Sequence, residues 1–200
     1  MSKRHLMDLI DKEVGSCTKC RLSRTRENAV PGEGDLDSKV IFIGEAPGYW
    51  EDLKGRPFVG AAGMLLDETL AKSGFSRSEV YITNIVKCRP PRNRDPRPDE
   101  IEACTPYLDR QLELIKPRVA VTLGRHSTCY ILSKIGHRVS GITRVRGRIF
   151  EAELWGSNVR IIPTFHPAAA IYDVKLRDYL EKDFQVLRNE LERVEESEKT

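Results

Sequence analysis

Long apolar runs are missing from this chain of 200 residues. No stretch approaches the roughly 20 apolar residues that a membrane-spanning helix needs. The opening Met1-Ser-Lys-Arg-His-Leu-Met-Asp8 has neither an apolar h-region nor a cleavage site, so an intracellular, cytoplasmic protein is expected. Internal repeats, low-complexity linkers and any composition shift marking a second domain are also lacking. Two nucleotide signatures fail. Gly44-Glu-Ala-Pro-Gly48 is followed by no Gly-Lys-Ser/Thr, so it is not a P-loop. Gly32-x-Gly34 precedes an apolar run, where a dinucleotide fingerprint would follow one. Cysteine is sparse, five residues in all, and in an intracellular chain they argue for a metal or cluster site over a disulfide framework.

What is present describes an ordinary globular chain, 40% hydrophobic and 32% charged, long enough to bury a core in one domain spanning residues 1–200. The net charge of +3 is unevenly spread. Residues 189–200 hold five glutamates against one arginine and one lysine, a net −3, which leaves +6 on the rest. That excess concentrates in Lys19–Arg26, Lys87–Arg97 and Arg138–Arg148. Clustered arginine is the footprint of a protein that meets a phosphate backbone, although by charge alone a solvated basic face accounts for it more simply.

Hydrophobic periodicity predicts a helix over residues 2–14, a Gly- and Pro-rich loop to about 38, and a buried strand at Val40–Ile43 ending in Gly44. Further helices are predicted over Ala61–Lys72, Asp99–Ile115 and Gly124–Ile135, with strands at Val80–Val86, Val119–Leu123 and Val159–Ile162. Residues 143–154 read as a hairpin. Ala168–Val194 reads as a long helix broken near Asp173, its acidic end from about 189 frayed. Strands alternating with helices give an α/β fold with a mostly parallel sheet covered on both faces.

Each strand runs into a short polar or glycine-containing segment: Gly44-Glu-Ala-Pro-Gly48, Asn84 with Lys87-Cys-Arg89, Gly124-Arg-His126, and Thr164-Phe-His-Pro167. Ligands of open α/β sheets bind outside the carboxyl ends of the strands, so Glu45, Asn84 and His166 are expected to converge there. Singly, each has a plain structural reading as a turn, a strand end or a satisfied histidine. The cysteines are more specific. Cys17-x-x-Cys20 is a ligand-type pair, and Cys88 and Cys104 stand far from it without the second tight knuckle of a zinc ribbon. Four thiolates suit tetrahedral zinc or an iron–sulfur cluster, with the spacing leaning toward the cluster. Cys129 reads as a buried thiol without a partner.

Taken in order, Cys17-x-x-Cys20, Gly44-Glu-Ala-Pro-Gly48 with Glu51-Asp52, Gly55-Arg-Pro-Phe-Val-Gly60, Thr83-Asn84, Cys88…Cys104 and His166-Pro-Ala-Ala resemble family 4 uracil-DNA glycosylases over residues 15–188. Family 5 enzymes have Leu-Ala-Pro where Glu45-Ala-Pro stands here. The resemblance implies a bacterial or archaeal DNA-repair enzyme acting as a monomer on uracil-containing DNA, single- or double-stranded. Its fold would be a three-layer α/β/α sandwich with a central four-stranded parallel sheet, and it would carry a structural [4Fe–4S] cluster on Cys17, Cys20, Cys88 and Cys104. The same resemblance implies that Phe58 stacks on the flipped base, Asn84 reads its edge and Glu51 fills the space beside C5. His166 and the backbone of Gly44, Glu45 and Ala46 would meet the charge on O2, and Glu45 would position water. Ala46 stands where family 1 enzymes carry an aspartate. Ala168–Lys175 resembles the segment that enters the duplex but lacks the expected arginine. No sliding-clamp peptide is discernible. The rival readings are a nucleic-acid-binding module with structural zinc, an electron carrier, and a family 5-like enzyme that tolerates deaminated purines.

Overall fold

The computed structural model describes residues 1–197. Val40, Phe42 and Ile41, Ile43 alternate along the first buried strand, so one apolar run supplies both faces of a sheet. That strand is β2 (Val40–Gly44). It is flanked by β3 (Tyr81–Asn84) on one side and β4 (Val119–Leu123) on the other, all parallel. β6 (Ser157–Thr164) continues the parallel set beyond β4. These four are the expected parallel strands. Two antiparallel edges, β1 (Glu33–Gly34) and β5 (Phe150–Leu154), extend the sheet of the described residues to six, in the order β1-β3-β2-β4-β6-β5.

Helices cover both faces. Met7, Ile10 and Val14 of α1 (Lys3–Ser16) pack on one face with Leu108, Leu112 and Ile115. Those three belong to α4 (Pro98–Ile115); α2 (Tyr49–Lys54) and α3 (Ala61–Lys72) precede it. Ile131 and Leu132 of α5 (Arg125–Ser133) complete that layer. The other face takes Leu66 and Leu70 of α3 together with Leu180, Phe184 and Leu187. The latter belong to α8 (Lys175–Ser197), which follows α6 (Ile142–Val145) and α7 (Pro167–Tyr172). The three-layer α/β/α arrangement is therefore present.

Two expectations need correction. The hairpin is not contained in residues 143–154. Its arms are β5 and β6, turning at Trp155-Gly156, whose φ of 53° and 72° belong to a tight hairpin turn. Residues 142–145 form α6 instead. The acidic end is helical to Ser197, because Glu190 is buried against Arg160 of β6 (3.0 Å) and Val194 is buried as well. Glu198, Lys199 and Thr200, the last of the predicted frayed tail, lie outside the described residues. The expected break near Asp173 is there, between α7 and α8.

Candidate active site

From β2 the chain passes to β3 on one side, then crosses back to β4 on the other. The connections thus diverge beside β2 and open a crevice at its carboxyl end. The register sets Gly44 beside Asn84 and Leu123 beside Thr164, so all four parallel strands release their polar segments at one edge. Gly44 has to be glycine. A Cβ there would fall within 2.7 Å of the Phe58 ring and closer still to Asn84 Oδ1. Gly124, at φ 91°, plays the same part for His166, whose Cβ would stand 3.0 Å from an added methyl.

An open cleft of about 560 Å³ lies at this edge, and Glu45, Ala46, Glu51, Phe58, Asn84 and His166 line it. All the sequence-predicted site residues except the four cysteines are thus brought together, with Gly44 immediately behind them. Asn84 is 1% exposed, and its Oδ1 has no hydrogen-bond partner within the protein. A buried amide oxygen left unpaired costs about 1–3 kcal/mol, so this atom lacks the partner that a buried oxygen ordinarily has.

Phe58 holds a φ of 50°, a conformation that costs a bulky residue about 1–3 kcal/mol. Its surroundings enforce it. Arg77 Nη1 donates to the Phe58 carbonyl (3.2 Å) and Nη2 to that of Pro57 (2.6 Å), while Glu33 (2.8 Å) and Asp67 (2.7 Å) fix the guanidinium. Glu51 Oε1 accepts from the amides of Val59 (2.8 Å) and Gly60 (2.9 Å). One Glu51 oxygen is thereby engaged in holding the Phe58 loop. The Phe58 ring stacks on the His166 ring, with centroids 5.5 Å apart and planes at 26°.

His166 caps α7: its Nδ1 accepts the Ala168 amide at 3.1 Å. The proton of the neutral ring is therefore assigned to Nε2. Burial pushes the His166 pKa below its ordinary 6.5, against the pull of Glu45 and Glu51. Sequence reasoning missed the partner of Glu45. His126, at the start of α5, meets Glu45 Oε2 through Nδ1 at 2.7 Å and faces Asp95 Oδ2 at 3.6 Å through Nε2. The hydrogen bond that the ring makes to the Glu45 carboxylate raises the His126 pKa, against the opposing effect of burial. The one available signal was its position just after a strand end.

The cysteines form a second centre. Cys17, Cys20, Cys88 and Cys104 line one small cavity with Val14, Val86 and Tyr107, and Cys129 is not among its walls. N–H groups point at the sulfurs: Arg26 Nη1 lies 3.0 Å from Cys88 Sγ, and the Lys87 amide 3.1 Å from Cys104 Sγ. Four thiol donors around one cavity, with N–H groups aimed at two of the sulfurs, suit a thiolate-bound metal centre.

Comparisons with known proteins place the chain in a family. A model of the uracil DNA glycosylase superfamily matches residues 31–189. The chain is 54% identical to a type-4 uracil-DNA glycosylase of Sulfurisphaera tokodaii, over 91% of this chain and 83% of that protein. It is 51% identical to the Archaeoglobus fulgidus type-4 enzyme, over 90% of each, and 50% identical to that of Saccharolobus solfataricus, over 92% and 86%. With these likenesses running along nearly its whole length, the chain belongs to the uracil DNA glycosylase superfamily, among its type-4 members.

Proposed function

We propose that this protein, as a single chain working on DNA inside a prokaryotic cell, flips uracil out of DNA and hydrolyses its N-glycosidic bond, leaving free uracil and an abasic site. The observation that carries the reading is Asn84 Oδ1, buried and without a partner at the floor of a cleft roomy enough for a nucleotide. A base must leave the stack before its glycosidic bond is reachable. Phe58, locked in place by Arg77 and Glu51, offers the extruded base an aromatic face, which is blind to its identity. Identity is read by Asn84. Its Oδ1 accepts from uracil N3–H and its amide donates to O4, whereas cytosine presents the opposite pattern at both positions. A mismatch leaves buried groups unpaired, at about 1–3 kcal/mol each. Thymine is excluded sterically by Glu51 beside C5.

Cleavage leaves an oxocarbenium-like sugar and a uracil anion. Neutral His166 donates from Nε2 to the charge growing on O2, helped by the backbone of Gly44, Glu45 and Ala46. Glu45, with Oε2 committed to His126, keeps its other oxygen for orienting the attacking water. Ala46 offers no general base, so the reaction relies on stabilising the departing charge. The Ala168–Lys175 segment borders the cleft and enters the duplex at the vacated position. Cys17, Cys20, Cys88 and Cys104 would hold a [4Fe–4S] cluster, which when bound supplies no electron to a hydrolysis and serves to order the loops that carry its ligands.

The test is base release from strands carrying one central uracil, thymine or hypoxanthine, followed by alkaline cleavage. Cleavage at uracil alone is expected. His166→Ala should lower kcat about 10²–10³-fold with a smaller change in KM. No cleavage by iron-loaded protein, or equal losses in kcat and binding for His166→Ala, would count against the reading.

A further inference from the structure

Tyr49 and Trp50 open α2 on the rim of the cleft, and the excision chemistry above has no use for either ring. They are 51% and 50% exposed, although large aromatic side chains are ordinarily driven into the core. Their rings meet edge to face at 5.2 Å. The mount is rigid: buried Asp52 of the same short helix accepts from the amides of Glu27 (2.9 Å) and Asn28 (3.2 Å). Cations flank the pair. The Arg89 guanidinium lies 5.1 Å from the Tyr49 ring centre, steadied by Asn93 Oδ1 at 2.7 Å, and Lys54 Nζ lies 5.9 Å from that of Trp50. The loop that carries Arg89 continues to exposed Arg92 and also borders the cleft through Pro90, Asn93 and Arg94.

We propose that Tyr49 and Trp50 form a stacking platform for an unpaired base beside the target nucleotide, with Arg89 and Arg92 taking the adjoining phosphates. This assignment rests on the proposed action on DNA and extends it to the form of the strand. Bases inside a duplex have both faces covered by their neighbours, so exposed rings gain nothing from them. An unpaired base offers a free face, and every base has one. Aromatic faces interleaved with arginine on one rim are the complement of a single strand, whose charge repeats at each nucleotide. The chain therefore engages single-stranded DNA through contacts that duplex DNA cannot make.

The chain's two tryptophans make this measurable, since Trp155 sits in the β5–β6 turn at the opposite end of the sheet. The full chain is titrated with a single strand of about a dozen nucleotides bearing a central tetrahydrofuran abasic analogue, and with the same strand annealed to its complement. Quenching of tryptophan emission is expected with the single strand and little with the duplex, surviving in Trp155→Phe and lost in Trp50→Phe. Tyr49→Leu/Trp50→Leu should weaken single-strand binding at least tenfold and raise KM for single-stranded uracil more than for duplex uracil. Equal quenching by both probes, or affinity kept within twofold in the double variant, would overturn the platform. The probes contain no uracil. Quenching without uracil release would therefore sink the excision reading alone, and uracil release with a silent Trp50 would sink the platform alone.

Discussion

Two histidines at the carboxyl end of the sheet have their pKa values moved in opposite directions. Burial lowers the pKa of His166, so the neutral ring is favoured in the folded chain. Its contribution to stability is present above the unfolded value near 6.5 and lost as pH falls. The Glu45 hydrogen bond raises the pKa of His126, opposed by burial, with Asp95 adding to the rise and Arg125 reducing it. That contribution is complete below about 6.5 and fades as pH rises through the folded value. Turnover should accordingly lose activity on the acid side as His166 charges and on the alkaline side as the Glu45–His126 pair weakens. A pH profile of single-turnover release should show both limbs in the native chain and only the acid limb in His126→Gln. An unchanged alkaline limb in that variant would assign it to another group. Glu45, Asn84 and His166 were legible in the sequence because each lies at or just beyond the end of a strand. The link from His126 to Glu45 was not, because it spans 81 positions and depends on where α5 starts. Arg77, which clamps Phe58 through two backbone carbonyls, gave no signal at all.

At the scale of elements, the four central strands were read correctly and the edges were not. β2, β3 and β4 announce themselves by continuous buried residues, and β6 by its buried second half. β1 is two residues in a loop rich in glycine and proline, and it exists only because it pairs with β3. Residues 143–154 read as a hairpin, yet the turn falls at Trp155-Gly156 and Arg146 has other work. Its guanidinium binds Asp183 of α8, which is 2% exposed and also accepts the Thr164 hydroxyl at 2.6 Å. So one arginine of the basic stretch Arg138–Arg148 fastens α8 to the sheet. Asp183→Ala leaves Arg146 without its counter-charge. The expected loss is on the order of 3 kcal/mol, the lower end for a broken buried pair because Arg146 keeps some contact with water. Urea unfolding would measure it, and a loss under about 1 kcal/mol would mean that the pair behaves as a surface one.

Across the whole molecule, the cysteine centre and the cleft share one connection. Lys87 donates its amide to Cys104 Sγ, and its buried Nζ donates to the Asn84 carbonyl at 2.8 Å. If the four cysteines hold the proposed cluster, its removal should loosen residues 17–26 and 87–104 before the sheet. Amide exchange should speed up in those segments while β2, β4 and β6 stay protected, and iron content should fall in step. Zinc at one ion per chain with no iron would replace the cluster by a different centre. That Cys17 and Cys20 meet Cys88 and Cys104 around one cavity was readable from their types and spacing.

The central claim is that Asn84 selects uracil for excision. Its most direct test is single-turnover release of uracil and cytosine from otherwise identical strands by the native chain and by Asn84→Ala. The native chain should release uracil only. The variant should be slowed about 100-fold or more on uracil, the sum of two lost hydrogen bonds in a buried site, with its melting temperature little changed. Uracil release by Asn84→Ala within a fewfold of the native rate would contradict the account, and the buried, unpartnered Oδ1 would then be a structural cost with no role in recognition.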